Sequence, residues 1–234
     1  DLRGVHCHIG SQIYRLDAFS RAINRLAELA LAARNQYGII FSILNLGGGL
    51  GARYLSEDPQ ISITAYSQVL HDSVATAWGA SDLGDIPAIM VEPGRSIAAP
   101  SAITLYRVGT IKEIPGVGTY VAVDGGMSDN PRPVLYGSGY EAYLPERVHE
   151  NRPFACSVVG KHCEQGDIIV ADAQLPAKVQ PGDLLATPTT GAYGYSMASN
   201  YNMVPRPAVL FASNGEVRCV LRRETPEDLT RLDG

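Results

Sequence analysis

Val91-Glu92-Pro93-Gly94-Arg95-Ser96 closes the apolar run Ala88-Ile89-Met90-Val91 and divides the chain into two textures. Before it, β-prone runs alternate with helical periodicity. After it, the text reads almost entirely as β. Within it, a carboxylate and a guanidinium stand three residues apart around a Pro-Gly break. At the tip of a strand such a pair either forms an internal salt bridge or holds a ligand.

Working back from this stretch, Val5-His6-Cys7-His8-Ile9 is a short β-prone run ended by Gly10, and strand alternation sends His6 and His8 to one face. A helix follows, with Asp17 as its N-cap, Phe19, Ile23, Leu26, Ala30 and Ala33 as its apolar stripe, and Gly38 as its stop. Ile39 to Leu44 is apolar on both faces, as a strand covered on both sides should be, and it runs into Gly47-Gly48-Gly49-Leu50-Gly51. A second helix fits Ile63 to Trp78, capped by Ser62 or Thr64, with Tyr66, Val69, Leu70, Val74 and Ala77 facing inward. Ala88 to Val91 is the third buried strand. Strand and helix in regular alternation are the grammar of a parallel α/β sheet or barrel.

Beyond Arg95, Ile103–Ile111 and Tyr120–Val123 form a hairpin around Pro115-Gly116-Val117-Gly118. Further strands fit Ser157–Val159, Ile168–Val170, Leu184–Ala186, Ala208–Phe211 and Val217–Leu221, the last two joined at Ser213-Asn214-Gly215. This half reads as an antiparallel β domain, with the boundary near residue 102.

The bulk numbers narrow the function. A chain of 234 residues with 45% hydrophobic and 18% charged residues is long enough to bury a substantial core. A net charge of −5 and the absence of basic runs argue against a nucleic-acid or anionic-membrane surface. No apolar run approaches the roughly 20 residues of a membrane span, and no signal-peptide core is present at the start. The four cysteines form no CxxC pair, so neither a zinc site nor a disulfide framework is expected, and a reducing cytoplasm is the default.

Several clusters carry chemistry. Gly47-Gly48-Gly49 after a strand reads as a phosphate cradle, as a structural turn, or, through G-x-G-x-x-A ending at Ala52, as a dinucleotide fingerprint. The last requires a helix to open there. Ser11, the glycines and Arg95 could together hold one phosphate, because sites gather at the C-terminal ends of parallel strands. His6 and His8 could ligate a metal, but no third ligand lies nearby and a core or ring-stacking histidine is the simpler reading. Lys161-His162-Cys163-Glu164-Gln165-Gly166-Asp167 places a thiol beside a carboxylate, as a nucleophile, a proton donor, a ligand pair or a structural cysteine. Asp124 to Pro133 is a polar loop, and Arg132 with Tyr136 suits a carboxylate. Gly191 to Asn202 is a second such loop.

In this order, His6-Cys7-His8-Ile9-Gly10-Ser11-Gln12, Gly47-Gly48-Gly49-Leu50-Gly51, Glu92-Pro93-Gly94-Arg95, Asp124-Gly-Gly-Met-Ser-Asp-Asn130, His162-Cys163-Glu164 and Gly191-Ala-Tyr-Gly-Tyr-Ser-Met-Ala-Ser-Asn-Tyr-Asn202 resemble the diaminopimelate decarboxylase family. The resemblance runs from Gly4 to about Thr225. It implies an alanine-racemase-like fold, the C-terminal part of a (β/α)8 barrel over residues 1–102 and an antiparallel β domain over 103–234. It also implies pyridoxal 5'-phosphate as cofactor, an amino-acid substrate and a homodimer with shared active sites.

By the same resemblance, His8 stacks on the cofactor ring, Ser11, Gly49 and the backbone of Gly94 and Arg95 hold its phosphate, and Gly48 is a further cofactor-binding residue. Glu92 pairs with the ring nitrogen, and Tyr193 contacts cofactor and substrate. Arg95, Arg132 and Tyr136 meet substrate carboxylates, Glu164 meets the distal ammonium, and Cys163 donates the proton that replaces CO2. Gln165 departs from the small serine usual in the family. None of the three lysines, Lys112, Lys161 and Lys178, stands in the family's cofactor-anchoring motif, so the chain reads as the half without that lysine. Two alternatives are a non-catalytic module that binds a phosphate ligand or complements a partner chain, and an ornithine- or arginine-type decarboxylase.

Overall fold

The computed structural model describes residues 2–233, which fall into two compact units divided between Ala99 and Pro100. In the first, β1 (Gly4–His6), β2 (Ile43–Asn45) and β3 (Ala88–Met90) form a parallel sheet in that order, with Val5, Leu44 and Ile89 in register. The connections are α1 (Asp17–Tyr37) and α2 (Ile63–Gly79). Phe19 and Ile23 of α1, Leu44 of β2 and Tyr66, Leu70 and Val74 of α2 share one buried core. Phe19 meets the Tyr66 ring edge-on at 5.1 Å. Each such side chain contributes about 1.5–3 kcal/mol on leaving water, which outweighs the weak intrinsic preference of either helix.

The local signals translate with adjustments. Ser62 caps α2, its hydroxyl accepting the Ala65 amide. Asp17 is not the cap of α1: Leu16 holds that position and Asp17 opens the first turn. There its carboxylate takes the guanidinium groups of Arg15 and Arg21, which compete with any capping bond. Gly38 ends α1 in the left-handed region (φ 67), and the Ile39 amide reaches back to the Ala33 carbonyl.

That helix ending occupies residues the sequence assigned to the second strand, so β2 shrinks to three residues and Ile40 stays 60% exposed. The first strand likewise stops at His6, which leaves His8 in the following loop. β3 is an edge of the described sheet rather than a buried strand: Met90 and the adjoining Val91 are exposed, at 47% and 39%.

In the second unit β4 (Thr104–Ile114), β5 (Gly118–Val123), β6 (Phe154–Val159), β7 (Ile168–Leu175) and β8 (Leu184–Thr187) form a sheet ordered β7-β6-β5-β4-β8. Val121, Val158, Leu175 and Leu185 are fully buried in it. Three pairings are antiparallel, but β5 and β6 run parallel, so the sheet is mixed. A parallel neighbour requires a crossover of a dozen or more residues, and the long polar connection 124–153 supplies it. β9 (Val209–Ser213) and β10 (Glu216–Leu221) form a separate hairpin. Its two turn residues, Asn214 and Gly215, both have positive φ (52 and 79), the geometry a tight hairpin demands. Among the described residues no helix is long and apolar enough to cross a membrane.

Candidate active site

Because β1, β2 and β3 run parallel, the segments that leave them emerge at one end of the sheet. The glycine run leaving β2 is wedged between the other two. A Cβ on Gly47 would stand 2.3 Å from the Cys7 carbonyl oxygen, one on Gly48 2.4 Å from that of Glu92, and one on Gly49 2.3 Å from that of Gly10. Close backbone approach alone therefore explains three glycines. Between the glycine run and Ile63 no helix opens, which removes the dinucleotide reading.

Around this seam the sequence-predicted side chains gather. His8 accepts the Gly48 amide through Nδ1 at 3.2 Å, so a neutral ring carries its proton on Nε2. Arg95 opens the short helix α3 (Arg95–Ala98). Its guanidinium donates to Ser11 Oγ at 2.8 Å and to Tyr54 OH at 3.0 Å, with Cζ 5.9 Å from the Tyr54 ring centre. Ser11 and Arg95 are 84 residues apart in sequence and meet here.

Glu92 takes different partners. Asn45 donates to its Oε1 at 2.7 Å, and His6 Nε2 lies 3.8 Å from its Oε2. The Glu92 side chain remains 55% exposed, open to a cationic ligand. Asn45 also accepts the Gly47 amide through Oδ1 at 2.9 Å, so one amide ties the glycine turn to the acid. Gly94, between Glu92 and Arg95, faces open space: a Cβ there meets nothing within 4 Å.

The second unit brings three loops together. Asp167, buried at 3% exposure, accepts the Met127 amide at 2.6 Å and the His162 amide at 2.8 Å. His162 Nε2 lies 2.9 Å from Ser128 Oγ, and the Ser199 amide donates to the Ser128 carbonyl at 2.9 Å. Glu164 Oε1 accepts the Tyr201 hydroxyl, and Cys163 Sγ stands 3.6 Å from the same oxygen. Donation to that carboxylate raises the Tyr201 hydroxyl's pKa. Cys163 is exposed, whereas burial pushes the Cys156 thiol up to about 11.

A third arrangement centres on Arg132, which opens α4 (Arg132–Tyr136). Arg132 is buried and donates to Tyr140 OH at 3.0 Å and Ser138 Oγ at 3.1 Å. Its Cζ lies 5.6 Å from the Tyr136 ring centre and 5.7 Å from that of Tyr193, so two predicted residues flank the third. Tyr193 holds this place with a positive φ of 58.

Sequence reasoning passed over Asn45, Tyr54, Ser128, Asp167 and Tyr201. Asn45 carried the one usable signal, a polar residue ending an apolar strand. Ser128, Asp167 and Tyr201 lie inside the polar loop motifs, where nothing in the letters separates a loop-binding group from its neighbours.

Residues 1–99 match the family model described as "Pyridoxal-dependent decarboxylase, pyridoxal binding domain". Over 233 residues the chain is 49% identical to diaminopimelate decarboxylase of Bacillus subtilis (strain 168), covering 99% of this chain and 52% of that protein. Diaminopimelate decarboxylase of Mycobacterium tuberculosis (strain ATCC 25618 / H37Rv) is 46% identical over 240 residues, with 99% and 54% covered. The crystal structure of the M. jannaschii diaminopimelate decarboxylase in complex with L-lysine superimposes with a TM-score of 0.91 at 33% identity, covering 99% of this chain and 52% of that one. The chain thus spans about half the length of the curated relatives it matches. The chain is similar, along 99% of its length, to about half of a diaminopimelate decarboxylase, and its first 99 residues match the pyridoxal-binding domain of the pyridoxal-dependent decarboxylases.

Proposed function

We propose that this chain forms part of a pyridoxal-phosphate-dependent carboxy-lyase that converts meso-2,6-diaminoheptanedioate to L-lysine, working in the cytoplasm as a homodimer. The observation that carries the reading is the pairing of Ser11 with Arg95 beside an exposed Glu92, all at the emerging ends of one parallel sheet. A hydroxyl and a guanidinium suit a phosphate, and a separate carboxylate suits a protonated ring nitrogen. The open space at Gly94 leaves room beside them. The residues present therefore fit the cofactor.

Glu92, steadied by Asn45, would hold the ring nitrogen in its protonated form, and His8 would lie against the ring. Ser11, Gly49, Gly94 and Arg95 would hold the phosphate, with Gly48 keeping the Glu92 backbone close. When bound, the cofactor supplies an electron-accepting ring for the charge left by departing CO2. Arg132 and Tyr136, with Tyr193, are assigned to a substrate carboxylate and Glu164 to the distal ammonium. Cys163 holds the proton that replaces CO2, and the neighbouring Glu164 oxygen is where its S–H rests before delivery. All three lysines lie beyond residue 111, none in the first unit with its parallel sheet, so the reading takes the covalent anchor from the remainder of the enzyme.

The test is the full-length protein loaded with pyridoxal phosphate and given meso-2,6-diaminoheptanedioate. CO2 and L-lysine should appear in equal amounts, and a loaded protein that releases neither overturns the proposal. Cys163→Ala should keep the cofactor and lose turnover; unchanged turnover removes Cys163 from its role.

A further inference from the structure

We infer that Asp167 is a positioning residue, a buried carboxylate that latches the 125–129 loop to the 160–167 loop and so sets where Cys163 and Glu164 stand. The inference rests on the reading of those two side chains given above. Asp167 binds backbone from four directions. Its Oδ1 accepts the Met127 amide at 2.6 Å and its Oδ2 the His162 amide at 2.8 Å. Its own amide donates to the Glu164 carbonyl at 3.1 Å, and its carbonyl accepts the Gly160 amide at 2.8 Å. Residues 162–166, which include both reactive side chains, are thus closed at each end on one residue.

The surroundings leave the carboxylate no second position. A Cβ on Gly160 would stand 2.1 Å from its Oδ2, and one on Gly126 would stand 2.6 Å from the same atom. Two glycines, one on each loop, therefore make the space that Asp167 fills. At 3% exposure no water competes for the two amides, and a carboxylate bonded by backbone N–H groups is worth more than a neutral acceptor. The Lys161 amide donates to the Gly125 carbonyl at 3.0 Å, a further direct bond between the two loops. Ser128 and His162 add a side-chain link at 2.9 Å. Asp167 is the member of this set that reaches both loops and closes the Cys163–Glu164 turn as well.

Asp167→Asn keeps the volume but turns one acceptor into an NH2 group that faces an amide N–H. In the full-length holoenzyme we expect kcat to fall at least 10-fold with KM changed less than 3-fold. We also expect a change of at least 5-fold in the rate at which iodoacetamide alkylates Cys163, read by peptide mass spectrometry. Cys219, exposed on the β9–β10 hairpin, is the internal control and should alkylate at the parent rate if the fold is intact. Gly160→Ala attacks the same carboxylate from the other side and should reproduce the pattern. Wild-type kcat and Cys163 reactivity in a folded Asp167→Asn protein overturn the inference.

If both variants unfold, hydrogen exchange on the parent holoenzyme decides. The amides of Met127 and His162 should be protected although both lie in loops, and free exchange at either one refutes the latch. Exchange and alkylation read the latch without turnover. A parent enzyme that fails to decarboxylate therefore strikes the functional reading, and these two measurements still judge Asp167.

Discussion

Gly48→Ala is a sharp probe of the seam between the strand ends. The added Cβ would start 2.4 Å from the Glu92 carbonyl oxygen, and contact becomes ordinary only at 3.4 Å. Backbone must therefore give way by about 1 Å, at the residue whose carboxylate Asn45 holds. Overpacking of this kind costs about 1–3 kcal/mol of folding stability. A misplacement of about 1 Å at a reacting centre costs about 100-fold in rate. Gly94→Ala is the matched control, because its Cβ meets nothing within 4 Å. It should unfold within about 0.5 kcal/mol of the parent, as open surface positions do, yet bind cofactor more weakly if the phosphate occupies that space. The assays are urea denaturation, cofactor titration by absorbance, and kcat on the full-length enzyme. Parent-like stability and turnover in Gly48→Ala, or a larger stability loss in Gly94→Ala than in Gly48→Ala, would refute the reasoning.

Three further outcomes can be checked. Leu44→Ala removes a fully buried side chain from the middle strand and should lower the unfolding free energy by about 2–5 kcal/mol in chemical denaturation. Glu224 is held by the Arg206 guanidinium and amide, which bring its pKa from 4.5 down to about 2. A lowered folded-state pKa gives stability that is complete above pH 4.5 and lost as pH falls from 4.5 toward 2, so Arg206→Met should flatten the acid limb of a stability–pH curve. Burial pushes the Cys156 thiol up to about 11, so at pH 8 iodoacetamide should modify Cys219 well before Cys156, with the order lost in denaturant.

Helix periodicity was the most legible part of the chain. The stripe Phe19, Ile23, Leu26, Ala30 is buried as its spacing requires, and Ser62 caps as its hydroxyl allows. Strand lengths were less so. A helix stop and a strand start compete for Ile39 to Ser42, and apolar character alone does not say which wins. The exposure of β3 is not legible because position in a sheet is a tertiary fact: Met90 and Val91 read as core, and only the strand order makes them an edge. The parallel β5–β6 pair was invisible for the same reason. Among site residues, Ser11 and Arg95 could be grouped in advance because strand ends converge in parallel folds. The Asp167 latch could not, since its partners are backbone amides and those carry no letter.

The order of strands in the two sheets has a consequence for how each is assembled. In the first unit the spatial order β1-β2-β3 is also the order of synthesis, so every strand joins beside its immediate predecessor and none must be threaded between two already in place. The second unit grows differently. Its hairpin β4–β5 forms early from neighbours in sequence, β6 and β7 add to one flank, and the other flank of β4 waits for Leu184–Thr187. Until those residues leave the ribosome, Thr104–Arg107 offers a row of unsatisfied donors and acceptors to any passing strand. β2 and β3 can each add to the strand before them, while the second sheet is finished on that flank only when its fifth strand arrives.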